Sequence, residues 1–122
     1  MRNYQKLDDA WKTAMQLVKE VYLLTKKFPK EEVYALTSQI KRASVSIPTN
    51  IAEGMGRQYK KDTIQFLHIS RGSVYEVETL LNIALMVQII NEHEFQTFLP
   101  QLDSSIKLMN GLINYTEKSA LK

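Results

Sequence analysis

Residues 60–89 read KKDTIQFLHISRGSVYEVETLLNIALMVQI, with no proline and a lone glycine, Gly72. Phe66, Leu67, Ser70, Val74, Val77, Leu81 and Ala84 recur at intervals of three and four, the spacing of one face of an α-helix. Asp62 with Gln65 suits a capped start. A helix over about 60–89 is therefore expected. The same segment carries a second apolar stripe. At 100° per residue, Ile64, His68, Tyr75, Ile83 and Met86 point away from Ser70 and Val77. A helix in a lone bundle needs a single apolar face, so two faces predict either a partner subunit or cover from the chain's own loops.

Three further helical segments flank this one. Downstream, Phe95, Leu99, Leu102, Ile106, Met109 and Ile113 keep the helical spacing over about 91–117, Asn91 and Glu94 fit a capping box, and Pro100 is expected to bend the first half. Upstream, Val33, Leu36, Ile40, Ala43, Ile47 and Ile51 mark a helix over about 30–52. Pro48 lies inside it, and a kink is expected there because proline removes a backbone hydrogen bond. Ser44, Ser46 and Asn50 stand near enough to satisfy the polar groups of that break. Gly54 and Gly56 are expected to release the chain. The first helix is read over about 7–27, with Leu7, Trp11, Ala14, Met15, Val18 and Tyr22 inward and Leu17, Val21, Leu24 and Phe28 flanking them. Phe28-Pro29 ends it.

Four long amphipathic helices joined by short connections predict an all-α fold, an antiparallel up-down four-helix bundle with a kinked second helix, formed as a single domain over 1–122. Small residues concentrate on the second helix (Ser38, Ala43, Ser44, Ser46, Ala52, Gly54) and the third (Ser70, Gly72, Ser73), which favours close approach of these two. Gly72 in mid-helix costs about 1 kcal/mol relative to alanine, so a packing or functional reason is expected for it.

Composition narrows the function classes. The chain has 122 residues, enough for a core without covalent staples, and no cysteine, which excludes disulfides, thiolate metal sites and cysteine nucleophiles. Four glycines and three prolines are too few for a turn-rich β fold. No signal peptide is evident. The apolar run 83–87 stops at Gln88, far short of the roughly 20 residues a membrane span needs, so a soluble cytoplasmic protein is expected. Formal net charge is +3 but unevenly spread: residues 1–61 hold 12 Lys/Arg against 6 Asp/Glu, whereas residues 62–122 hold 4 against 7. Such asymmetry favours polyanion binding or head-to-tail protein contacts.

The candidate polyanion surface is Lys41 and Arg42 on the outer side of the second helix together with Arg57, Lys60 and Lys61 in the following joint, where Tyr59 offers a ring for stacking. A symmetric ring of subunits would repeat these charges around an axis. The plainer alternative is a solvated face with local pairs such as Glu53–Arg57. Chemistry has few footholds. His68-Ile69-Ser70-Arg71-Gly72-Ser73 resembles the phosphoacceptor segment of histidine phosphotransfer modules, although Ser70 stands where a core leucine is expected there. His68 and His93 lie 25 positions apart with no carboxylates at ligand spacing, so no metal site is expected. Glu76 and Glu78 cannot share a helix face, and no glycine-rich phosphate loop occurs. No catalytic residue and no cofactor are expected.

The runs Phe28-Pro29-Lys30-Glu31-Glu32, Leu36-Thr37-Ser38-Gln39-Ile40-Lys41-Arg42-Ala43 and Val45-Ser46-Ile47-Pro48-Thr49-Asn50-Ile51-Ala52-Glu53-Gly54 resemble a bacterial family of four-helix-bundle proteins. That family includes proteins encoded in intervening sequences of large-subunit ribosomal RNA genes, and accessory variability determinants of diversity-generating retroelements. Trp11, Lys60-Lys61-Asp62, Phe66-Leu67 and Gly72-Ser73 with Glu76 and Glu78 fit as well. The resemblance implies a non-enzymatic bundle assembling as a pentameric homo-oligomer. In the retroelement branch it implies a basic surface that engages RNA or DNA and a reverse transcriptase. A protein-interaction scaffold with no nucleic-acid partner is the rival reading.

Overall fold

A computed structural model describes residues 5–119. Their four helices are α1 (Gln5–Thr25), α2 (Leu36–Met55), α3 (Lys60–Met86) and α4 (Glu92–Glu117), and no strand occurs among the described residues. Each helix packs on its sequence neighbour, and α1 also packs on α4. The backbones of the diagonal pairs stay apart, which is the arrangement of an up-down bundle. Leu17 and Val21 of α1, Ile40, Ile47 and Ile51 of α2, Leu67, Val74, Val77 and Leu81 of α3, and Leu102, Met109 and Leu112 of α4 are fully buried along the central axis.

Both ends of α1 and α2, the end of α3 and one helix face differ from the expectation. In α1 the buried line is Leu7, Ala10, Ala14, Leu17 and Val21, whereas Met15 and Tyr22 are 44% and 42% exposed. The buried face is thus turned roughly 60–70° from the predicted one, at 100° per residue. Ala10 and Ala14 decide this, because small side chains let α1 lie close to its neighbours while the bulkier Trp11, Met15 and Tyr22 slide to the edge. α1 also stops two residues early. Thr25 Oγ1 donates to the Tyr22 carbonyl, and the Phe28 amide reaches back three residues to the Thr25 carbonyl.

α2 begins at Leu36, not near Lys30. Pro29 leads into a short 3₁₀ turn at Lys30–Glu32, and Ala35 leaves helical geometry at φ −122°, ψ −106°. Val33 is 49% exposed, so its place in the apolar spacing buys no burial, and a helix started at Lys30 would gain nothing from it. The Glu32 carboxylate accepts from the Leu36 amide and closes the start of α2.

α3 ends at Met86, before the apolar run does. Gln88 takes a left-handed conformation (φ 65°). The Gln88 amide bonds the Leu85 carbonyl and the Ile89 amide bonds the Ala84 carbonyl, a Schellman closure. This folds Ile90 into the core, and Asn91 then opens α4 with both halves of the expected capping box in place. Both internal prolines are accommodated without dividing their helices, Pro48 buried in α2 and Pro100 exposed on α4.

Candidate functional site

The α2–α3 seam takes up Ser46 and Asn50 of the Ser-Val-Ser-Ile-Pro-Thr-Asn-Ile-Ala-Glu-Gly segment. Asn50 Nδ2 donates to both the carbonyl and the hydroxyl of Ser46, each at 2.8 Å, and the Ser46 and Ser73 hydroxyls meet at 2.9 Å across the helices. The Ser70 hydroxyl donates to the Ile47 carbonyl at 2.7 Å. Ser44, expected to help at the proline break, instead turns its hydroxyl back to the Lys41 carbonyl. Gly54 does not release the chain, because it lies inside α2. A Cβ there would stand 2.9 Å from Phe66 Cβ and 3.1 Å from the Thr63 carbonyl, and Thr63 Oγ1 donates to the Gly54 carbonyl at 2.8 Å. The segment thus works mainly as a helix-pairing device, as small buried polar groups must when each needs a partner.

The five basic candidates do not form one cluster. Lys41 and Arg42 sit in the first half of α2. Arg57, Lys60 and Lys61 lie beyond its far end, about 24 Å away by helical rise from Lys41 to Arg57. Their engagement differs. Lys41 holds its ammonium 4.8 Å from the Tyr22 ring centroid. Arg57 pairs with Glu53 at 3.1 Å and lies over the Phe66 ring at 4.5 Å. Lys60 donates to the carbonyls of Glu117 and Ser119 at 3.1 and 3.2 Å, satisfying the C-terminal end of α4 where its dipole is negative. Arg42 and Lys61 are exposed, as is Tyr59 at 50%.

The second stripe of α3 faces outward. Tyr75, Ile83 and Met86 are 52%, 37% and 75% exposed, His68 is exposed, and Ile64 is half-buried. Ile69 and Gly72 share this face, and a Cβ at Gly72 would meet nothing within 4 Å, so no intramolecular packing explains that glycine. Among the described residues, the loops leave most of this face uncovered.

Arg71 bridges α3 and α4. One guanidinium nitrogen donates to Asn110 Oδ1 at 2.8 Å and the other approaches His68 Nδ1 at 2.9 Å. Arginine only donates, so Nδ1 is the acceptor in this contact. His93 sits in the first turn of α4, about 25 Å of helical rise from Asn110 and hence from His68, so the histidines do not converge. No helix among the described residues is long and apolar enough to cross a membrane.

An antiparallel four-helix bundle with a polar α2–α3 seam and an uncovered apolar face on α3 defines the class of protein. A family profile described as "23S rRNA-intervening sequence protein" matches residues 6–111, and the chain belongs to that family. A crystal structure of a protein of unknown function from the S23 ribosomal protein family of Bacteroides thetaiotaomicron superposes with a TM-score of 0.80 over 90% of this chain and 99% of that one, at 22% identity. At that identity the likeness is one of fold. No curated protein matches the chain.

Proposed function

We propose that this protein is a non-catalytic, cytoplasmic homo-oligomer, a ring of fivefold order by its family resemblance, that presents basic residues to RNA or DNA or to an enzyme acting on them, such as a reverse transcriptase. The uncovered apolar face of α3 carries the proposal. Tyr75, Ile83 and Met86 form a line that a second copy would dry, and such lines on a small bundle mark association surfaces. The charge division supports repetition of a positive field, because the excess of Lys/Arg lies in residues 1–61 and a ring would set those halves around one axis. Arg42, Lys41 and Lys61 are the residues best placed to meet phosphates, since Arg57 and Lys60 already hold partners within the chain.

Light scattering across a concentration series, combined with salt-dependent binding of a labelled RNA, tests this reading. A particle of several subunits whose affinity falls steeply with salt is expected, with a log–log slope of roughly one per phosphate contact. The reading fails if the protein stays monomeric at high concentration. Its nucleic-acid part fails if Lys41→Glu, Arg42→Glu and Lys61→Glu together leave affinity unchanged. The pairing of Arg57 and Lys60 favours the second reading, a protein-interaction scaffold, which predicts assembly without salt-sensitive RNA binding.

A further inference from the structure

The uncovered stripe of α3 and an open groove on another side of the bundle stand at the same height. The Ser46 and Ser73 hydroxyls meet across the antiparallel α2 and α3, so residues 75–86 of α3 run alongside the first half of α2 and the turn before it. That stretch holds Tyr75, Ile83 and Met86, the most exposed part of the stripe. At the same level the end of α1, the connection and the first half of α2 enclose a groove of about 490 Å³. Tyr22, Val33, Tyr34 and Val45 give it an exposed apolar lining, with Tyr34 95% exposed. The groove borders α1 and the stripe lies on α3, at diagonal corners of the bundle, so the two surfaces face different neighbours.

Charge also divides them. Lys41 and Arg42 line the groove, and no lining residue is acidic. Over residues 72–86, α3 carries Glu76 and Glu78 and no lysine or arginine. Glu76 is exposed, and none of the ion pairs among the described residues uses it.

We propose that the groove seats the α3 stripe of a second copy of this chain, in a head-to-tail contact. The inference rests on the homo-oligomer reading above and deepens it by naming the surface that receives the stripe. A contact of α3 with α3 would join like charges and close after two subunits. Stripe into groove joins opposite charges and leaves a groove and a stripe open for further copies. Because both surfaces lie at one level, the step from copy to copy is a rotation with little rise, which favours a closed ring over an open filament. Gly72, with open space where a Cβ would stand, lets a neighbour approach the α3 backbone in the middle of the stripe. Lys41, already held over Tyr22 in the groove, faces the neighbour's acidic flank, so Arg42 and Lys61 carry most of the phosphate binding.

Light scattering on two full-length variants and their mixture tests the proposal. Tyr75→Lys with Met86→Glu spoils the stripe and leaves the groove, whereas Tyr34→Glu with Val45→Glu spoils the groove and leaves the stripe. Each alone is expected to have the mass of one chain, and an equimolar mixture the mass of two, because one intact stripe meets one intact groove. Circular dichroism checks that both keep the parent's helical content. Tyr34→Glu alone, at a side chain almost wholly in solvent, repeats the groove test without risk to the fold. Glu76→Lys is expected to lower the parent's mass toward one chain, and Lys41→Glu in the same chain to restore it; a mass indifferent to Glu76→Lys overturns the pairing of charges that orients the contact. If the groove variants keep the parent's mass, the groove assignment is overturned while the oligomer reading stands, and the groove is left to a partner other than a second copy. A mixture no heavier than its components overturns the head-to-tail contact. A parent that is itself monomeric at high concentration removes both readings.

Discussion

The Ser70 hydroxyl, wholly buried on α3, donates to the carbonyl of Ile47 on α2 at 2.7 Å, one residue ahead of Pro48. The bond ties the middle of α3 to the turn of α2 in which a proline has already removed one backbone donor. Ser70→Ala should cost about 1 kcal/mol, the net worth of such a bond, and Ser70→Leu about 1–3 kcal/mol through overpacking of a seam built for small side chains. Urea unfolding followed by circular dichroism measures both. Equal stability of Ser70→Leu and the parent would show that the seam has room to spare.

Two glycines on adjacent helices should respond in opposite directions to alanine. At Gly54 the added methyl meets Phe66 Cβ at 2.9 Å and the Thr63 carbonyl at 3.1 Å, both fixed close to the backbone, so α2 and α3 must part. The strain of about 1–3 kcal/mol outweighs the helix-propensity gain of about 1 kcal/mol, and Thr63 loses its bond to the Gly54 carbonyl as well. At Gly72 nothing lies within 4 Å, so Gly72→Ala should stabilise the single subunit by about 1 kcal/mol. Thermal unfolding of the two variants checks the sign of each. A loss of association in Gly72→Ala would place a neighbouring subunit's backbone against that position.

Gln88 at φ 65° sits in a conformation that favours glycine. Because its own amide bonds the Leu85 carbonyl and that bond survives substitution, Gln88→Gly should relieve the Cβ penalty and raise stability by about 0.5–1 kcal/mol. Gln88→Val should do the reverse, since a β-branched side chain tolerates this region least. Denaturant midpoints rank the three.

These positions also show where sequence patterns carried the fold and where they stopped. Four helices, their antiparallel order and the Asn91–Glu94 box follow from spacing and capping chemistry alone. The close α2–α3 pairing is also foreshadowed by Ser70, Ser73 and Gly54. The end of α3 was hidden because its left-handed residue is a glutamine, with no glycine or asparagine to mark the stop. The buried face of α1 departs from the spacing because Trp11, Met15 and Tyr22 draw the expected stripe toward themselves, whereas packing turns the helix so that Ala10 joins Leu7 and Ala14 inside. The basic residues looked like one cluster because 16 positions are near in sequence terms, yet as a helix they span about 24 Å.

Glu94 couples the α4 cap to the end of α1. Its carboxylate pairs with the Lys27 ammonium and accepts from the Asn91 amide at 2.8 Å. The Lys27 hydrogen bond first, and the Asn91 amide second, hold its pKa below the ordinary 4.5. A carboxyl group depressed in the folded state stabilises the fold above its unfolded value and loses that contribution as pH falls through the folded one. Glu94→Gln can still cap Asn91 but cannot pair with Lys27. The parent should therefore exceed this variant in stability at pH 7, with the gap closing as the solution is acidified below the ordinary carboxylate range. Thermal midpoints of both proteins across that range give the test, and a gap independent of pH would remove the ion pair from the account.

Met86 and Tyr75 are 75% and 52% exposed on the same side of α3, so charges placed there leave the core of a single subunit intact. Tyr75→Lys with Met86→Glu should consequently keep the helical spectrum and an unfolding midpoint close to that of an unassociated parent subunit. In an assembly the same changes set desolvated charges into a subunit contact, which costs several kcal/mol unless they find partners. The expected result is a shift to the mass of one chain in light scattering with the fold unaltered. Since avidity from repeated sites disappears with the assembly, RNA binding should weaken in parallel even though no basic residue has been touched. Retention of the parent mass would move the subunit contact off α3, and the exposed Met15, Tyr22 and Leu23 of α1 would be the next apolar surface to examine by the same substitution.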